Sequence, residues 1–171
     1  MQIKLEPFKQ EHYLDLISWI PNEEMLMQFA GPGFTFPLTF QQLDASLSDP
    51  NRISFNVVSK ETNTVIGHCE IYVSDNSAKL GRILIGDPGY RGKGLGQQIV
   101  QSLLHYTFTQ LNKPVAELNV FDWNTGAIKC YEKVGFTINP NKKLERKVND
   151  QTWIAINMTI DRSRYEELQP G

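Results

Sequence analysis

The segment Asp87-Pro88-Gly89-Tyr90-Arg91-Gly92-Lys93-Gly94-Leu95-Gly96 carries the densest chemical signal in the chain. Residues without side chains at alternate positions let backbone N–H groups turn toward one point. A helix starting there adds partial positive charge, and the combination binds a phosphate or pyrophosphate. Arg91 and Lys93 can add charge to the same anion, while a glycine turn that merely reverses the chain would have the same letters. A P-loop is excluded, because the residue five before Gly92 is Asp87 and Lys93 is followed by Gly94 where Ser or Thr is required. A dinucleotide fingerprint fits poorly: Gly96 falls one position too early, and the preceding strand-like runs read as antiparallel.

The elements around this turn follow from periodicity. Ile3 and Leu5 alternate with polar residues as a short strand that Pro7 confines to an edge or ends. Tyr13, Leu14, Leu16, Ile17 and Ile20 recur at helical spacing until Pro21. Asn22 is placed to cap a second helix over Glu23–Phe29, which Gly31-Pro32-Gly33 breaks, and Thr39 to cap a third through Leu43 and Leu47. Ile53–Val58, Val65–Val73 and Lys79–Ile85 read as strands with links short enough for an antiparallel meander. Gly94 then announces a long helix whose stripe is Leu95, Ile99, Leu103, Leu104, Phe108 and Leu111. Val115–Phe121 is a further strand, Thr125–Val134 a helix with Gly135 as left-handed cap, and Phe136–Ile138 and Trp153–Ile160 close the set.

At 171 residues the chain suits one domain with a core of its own. Cys69 and Cys130 sit in apolar stretches and read as two buried thiols rather than a redox or metal pair, which points to a reducing, cytoplasmic compartment and to no metal. The opening residues lack a basic region followed by an apolar run, and no stretch approaches a membrane span, so neither secretion nor a membrane is expected. With 17 Lys plus Arg against 19 Asp plus Glu, nucleic acid is not an expected partner.

Arg91-Gly92-Lys93-Gly94-Leu95-Gly96, with Pro88 three residues before the Arg, resembles the signature Arg/Gln-x-x-Gly-x-Gly/Ala of the GNAT superfamily of N-acetyltransferases. Asn124, Ala127, Tyr131, Gly135 and Phe136 independently resemble its Asn-x-x-Ala-x-x-x-Tyr-x-x-x-Gly-Phe motif. The likeness extends in element order over about residues 1–160, and the long first half is similar to the branch of spermidine and ribosomal-protein N-terminal acetyltransferases. It implies an α/β (α+β) fold, with a mixed, mostly antiparallel sheet of six to seven strands flanked by helices. A single domain would span residues 1–161, followed by a polar, loosely ordered tail over 162–171.

The resemblance also implies a chemistry. A sheet splayed between its fourth and fifth strands would hold acetyl-CoA, with backbone groups of Leu84, Ile85 and Gly86 on the pantetheine arm and thioester carbonyl. The amides of Arg91, Gly92, Lys93, Gly94, Leu95 and Gly96, with Gln97, would receive the pyrophosphate. Asn124 would bond the pantetheine arm or fix its helix as a plain N-cap. Tyr131, otherwise a core tyrosine beside Ile128 and Val134, would be the general acid toward the departing thiolate. The acetyl group would pass directly to a primary amine of a small molecule, peptide or protein N-terminus. An alkyl amine is mostly protonated at pH 7 and must first lose a proton. Some ribosomal-protein acetyltransferases carry Glu five residues before the motif Asn, whereas this chain has Asn119. Glu70 is then the first candidate base, with Glu117 and His68 as further ones, although an exposed, solvated carboxylate is the more ordinary reading of each Glu and a plain strand residue that of His68. Acceptor recognition would fall to Trp19, Phe29, Phe34 and Phe36, with Glu23 and Glu24 attracting a cation or complementing a helix dipole. The competing function is a non-catalytic acyl-CoA-binding regulatory module, and a monomer or homodimer suits either.

Overall fold

A computed structural model describes residues 1–170. In chain order it holds β1 (Ile3–Pro7), α1 (Tyr13–Ser18), α2 (Glu23–Ala30), α3 (Phe40–Leu47), β2 (Arg52–Ser59), β3 (Val65–Val73), β4 (Ser77–Ile85), α4 (Leu95–His105), β5 (Val115–Phe121), α5 (Thr125–Val134), β6 (Thr137–Val148), β7 (Gln151–Asp161) and α6 (Arg162–Glu167). The seven strands form one sheet in the order β1-β2-β3-β4-β5-β7-β6, antiparallel except for β4 and β5. The expected mixed sheet is therefore present with seven strands. Among the described residues no helix is long and apolar enough to cross a membrane.

Each face of the sheet has its own core. Along β3, Cys69 and Ile71 point to the face covered by α4 and α5, where Leu95, Ile99, Leu103 and Val134 complete the packing. His68, Glu70 and Tyr72 alternate to the opposite face. On that side Phe8, Tyr13, Leu16, Leu26, Phe29 and Leu43 form a second apolar cluster among α1, α2 and α3, with Leu84 of β4 packed on it. The two cores share the sheet as a wall, so strand residues choose between them by the parity of their register.

Three segments differ from the sequence-based expectation. The π turn Tyr106–Gln110 follows α4, so the apolar stripe reaches Phe108 with a wider last turn. The strand expected over Phe136–Ile138 runs on to Val148, with a register shift between Asn139 and Lys143 that accommodates Pro140. The segment 162–171, read as a loosely ordered tail, opens with the helix Arg162–Glu167. Its cap Asp161 accepts from the Arg164 N–H at 2.8 Å, and Tyr165 packs on the Phe108 ring at 4.8 Å.

Candidate active site between two splayed strands

The pairing of β4 with β5 runs from Ser77↔Val115 to Leu80↔Leu118 and then stops. Beyond that point β4 stays with β3 and β5 with β7, and the two strands part around a cavity of about 700 Å³. Unpaired strand backbone at a parting edge is a ready template for an extended ligand arm. Gly81–Ile85, Leu118–Phe121, Asn124 and Tyr131 all line the cavity, and α2 covers one side through Met25, Gln28 and Phe29.

A β-bulge at Arg82 sets which β4 groups face the opening. His68 pairs with Leu84 and Glu70 with Gly81, so three steps on β4 match two on β3, and Arg82 adopts a left-handed backbone (φ 48°). A conformation that costs a non-glycine residue about 1–3 kcal/mol is held here by its side chain. The Arg82 guanidinium donates to Ser46 Oγ at 2.9 Å and to Glu70 Oε1 at 3.2 Å, and it lies 3.9 Å from the centre of the Phe34 ring.

The bulge sets which backbone groups of β4 are committed to β3. A Cβ added at Gly67 of β3 would collide with the Leu84 carbonyl oxygen, so Leu84 points its backbone at β3. The Gly86 N–H is also committed to β3, donating to the Ile66 carbonyl at 2.9 Å. Alternation leaves Ile85, and before it Ile83, facing the cleft. Of the trio Leu84, Ile85 and Gly86, strand alternation thus turns the backbone of Ile85 toward the cleft, as it does that of Ile83. Gly86 has a different reason to be glycine, because the Trp19 indole lies where its Cβ would be.

The glycine-rich turn leads into α4 with positive φ at Gly92 (73°) and Gly94 (74°), the alternation that gathers N–H groups into a concave nest. Side chains close the N-termini of α2, α3, α5 and α6, through Asn22, Thr39, Asn124 and Asp161. The cap of α4 is Gly94, with no side-chain bond, so the first N–H groups at Leu95, Gly96 and Gln97 are left to a ligand or solvent. Arg91 lines the cavity, and its own N–H donates to the Pro88 carbonyl at 3.2 Å. Its guanidinium donates to the Ile85 carbonyl at 3.0 Å and the Gly86 carbonyl at 3.3 Å, tying the end of β4 to the loop. The Lys93 ammonium sits 5.7 Å from the Tyr90 ring centre on the exposed loop.

Asn124 is an N-cap, its Oδ1 accepting from the Ala127 N–H at 3.3 Å, and it also lines the cavity. One turn further along α5 and beyond, the carbonyl of Tyr131 accepts from Gly135 (φ 120°) and Phe136, the expected left-handed cap. Burial first, then the neighbouring Cys130 thiol, push the Tyr131 phenol up to about 12. Among the described residues no side-chain hydrogen bond engages its hydroxyl, which leaves the proton for whatever enters the cleft.

The candidate bases are all engaged. Glu70 is buried, with His68 Nε2 at 2.7 Å, Arg52 Nη1 at 2.9 Å and Arg82 Nη1 at 3.2 Å. Burial alone would raise its pKa, but the His68 hydrogen bond and the charges of Arg82 and Arg52 overcome it and hold the carboxyl down at about 2. A carboxylate so held is a poor proton acceptor, and the side chain is buried rather than exposed. Burial would also raise Glu117, but Lys142, Ser77 and Asn157 bond it and lower it below its ordinary value. His68 is buried between the Phe8 and Phe29 rings with Nδ1 unpartnered. Asn119 lines the cavity and accepts from Asn157 at 3.0 Å. Glu23 and Glu24 lie outside this cavity, and Cys130 is only half-buried. Four charged cavity residues were given no role by the sequence reading: Arg52, Lys79, Arg82 and Arg146.

Residues 2–137 match the family described as Acetyltransferase (GNAT) domain. The chain belongs to the GNAT acetyltransferases. Among its relatives is the spermidine N(1)-acetyltransferase of Escherichia coli K12, 29% identical over 174 residues that cover 99% of this chain and 92% of that protein. An N-acetyltransferase 9-like protein of Nematostella vectensis is 24% identical, over 80% of this chain and 75% of the relative. The solved structure of spermidine N-acetyltransferase from Vibrio cholerae in complex with CoA and spermine superposes with a TM-score of 0.81 at 24% identity, covering 96% of this chain and 98% of that one, which fixes the fold. As a GNAT acetyltransferase the chain is an acetyl-CoA-dependent N-acetyltransferase, moving an acetyl group onto an amine.

Proposed function

We propose that the cleft between β4 and β5 binds acetyl-CoA in an extended pose and that the acetyl group passes directly to a primary amine, in the cytoplasm. The observation that carries this reading is the uncapped start of α4 next to the parted strands: an anion seat and a backbone template in one groove. The N–H groups of Gly92 to Gln97 would receive the pyrophosphate, those of Ile83 and Ile85 the arm and the thioester carbonyl, and Asn124 would bond the arm while capping α5. Bound there, acetyl-CoA supplies an acetyl group already activated as a thioester.

Tyr131 is the proposed acid. Its hydroxyl, neutral through the physiological range, would donate to the sulfur as negative charge develops there. The protonated amine sheds one proton before attack and a second as the amide forms, while the departing sulfur takes one up. With Glu70, Glu117 and His68 engaged, water carries the first proton away, and Glu70 acts as the anchor that holds Arg52 and Arg82.

The test is an acetyl-CoA turnover screen over polyamines, aminoglycosides, amino acids and peptides, reading free thiol and the mass of the product. Amine-dependent thiol release with a gain of one acetyl group is expected. Tight acetyl-CoA binding without release for any amine would leave a non-catalytic acyl-CoA-binding module. Spermidine, the substrate named for the bacterial relatives, belongs in the panel as one candidate acceptor.

A further inference from the structure

The register lines up a row of polar side chains across the sheet. Arg52 of β2 pairs with Tyr72 of β3, Tyr72 with Lys79 of β4, and Lys79 with Glu117 of β5. The Tyr72 ring lies between the two cations, 5.0 Å from the Arg52 guanidinium and 5.7 Å from the Lys79 ammonium. Arg82 comes to the same face through the bulge, and Arg146 reaches it from β6.

Five cations line this cavity; Arg91 is tied to the Ile85 and Gly86 carbonyls, and the other four share the wall with one carboxylate, Glu70, which Arg52 and Arg82 already hold between them. Glu117 is paired with Lys142 at 3.2 Å, and Asp49, whose charge also reaches Arg82, does not line the cavity. Among the described residues Lys79 and Arg146 have no carboxylate within ion-pair distance. Partial burial, together with the charges of Lys142, Arg52 and Arg146, pulls the Lys79 ammonium below its ordinary range against the pull of Glu117. Lys79 and Arg146, without a carboxylate in ion-pair contact, repel each other and the neighbouring guanidiniums, and an anion from outside would relieve that repulsion.

The anion does not belong to the pyrophosphate seat. Ala78 and Leu80 of β4 point into the core beneath α4, whereas Lys79 between them points to the opposite face, and the glycine-rich turn heads α4. The cations share the cavity with Tyr131 and Asn124.

We infer that the acceptor is a primary amine carrying a carboxylate or phosphate, held by Arg52, Lys79, Arg82 and Arg146, and not a polyamine. This rests on the acetyltransferase reading above and narrows its substrate class. A polycation would add positive charge to a wall already in excess, so this cavity is built against spermidine while sharing the fold of proteins that acetylate it.

The test compares matched acceptors at saturating acetyl-CoA: L-glutamate with its diamide, phosphoethanolamine with ethanolamine, the C-terminally amidated peptide Ala-Glu-Glu with amidated Ala-Gln-Gln, and spermidine. In at least one pair the anionic member is expected to exceed both its neutral partner and spermidine by about tenfold in kcat/KM. The pair that responds identifies the anion as a carboxylate or a phosphate. The double variant Lys79→Gln/Arg146→Gln, both at partly exposed positions and with folding checked by circular dichroism, should reduce that ratio at least about fivefold. Spermidine preferred over every anionic amine, ratios near one in all three pairs, or a ratio untouched by the double variant would each overturn the inference and leave the transferase intact. No turnover of any amine despite acetyl-CoA binding would remove the transferase reading, and this inference with it.

Discussion

Replacing Tyr131 by Phe keeps the ring, its edge-on contact with Phe136 at 6.1 Å and nearly all the buried area, and removes only the hydroxyl. The size of the effect follows from the proton affinities. A phenol at about 12 lies ~3.5 units above an ordinary thiol, so complete proton transfer to a solvated thiolate would be uphill by about 5 kcal/mol. The hydroxyl therefore acts as a hydrogen-bond donor to charge as it builds, and a bond to a charged group contributes about 1.5–3 kcal/mol. Losing it should lower kcat by about 10- to 150-fold, while the acetyl-CoA dissociation constant moves less than about threefold, since little charge is on sulfur in the ground state. Single-turnover thiol release at saturating acceptor, beside calorimetric acetyl-CoA binding, measures both. Because the phenol stays protonated to about 12, wild-type kcat should show no falling limb from Tyr131 between pH 7 and 10. A Phe variant with wild-type kcat, or one that loses acetyl-CoA affinity as much as turnover, would refute the assignment and leave Tyr131 as a packing residue.

Gly94→Val puts a β-branched side chain at φ 74° and fills space that no protein atom occupies, so the acetyl-CoA dissociation constant should rise at least about tenfold by calorimetry. Gly96→Ala, whose Cβ meets only Cys130 Sγ at 3.9 Å, should leave thermal stability nearly unchanged. Glu70→Gln leaves two guanidiniums around a neutral amide and should cost about 3–5 kcal/mol in urea unfolding. In the wild type the depressed Glu70 pKa makes its stabilisation complete above the unfolded value of 4.5 and lost as pH falls through about 2, an acid limb that the Gln variant should lack. Gly86→Ala must displace the Trp19 indole and should destabilise by about 1–3 kcal/mol, read as a fall in Tm.

Local rules set much of this protein. The caps Asn22 and Thr39, the helix 125–134 with its Gly135 stop, and the strands 65–73 and 115–121 depend on interactions within a few residues, so spacing and turn chemistry reveal them. The glycine-led start of α4, free of a side-chain cap, was legible for the same reason, since its N–H groups and its glycines are contiguous. Tyr131 was legible only through a motif, because nothing in periodicity separates it from a core tyrosine.

Tertiary structure decided the rest. Glu70 meets Arg52 across 18 residues of sequence and Arg82 across 12, and no local pattern foretells that clamp. Which β4 amides face the cleft depends on the bulge at Arg82, where one extra residue reverses the parity of everything after it. The lengthened β6 and the helix 162–167 exist because β7 and Phe108 offer them partners. The cation row has no sequence signature at all: four positively charged residues drawn from three strands share a wall only because the sheet's register places them there, and register is a property of the assembled sheet.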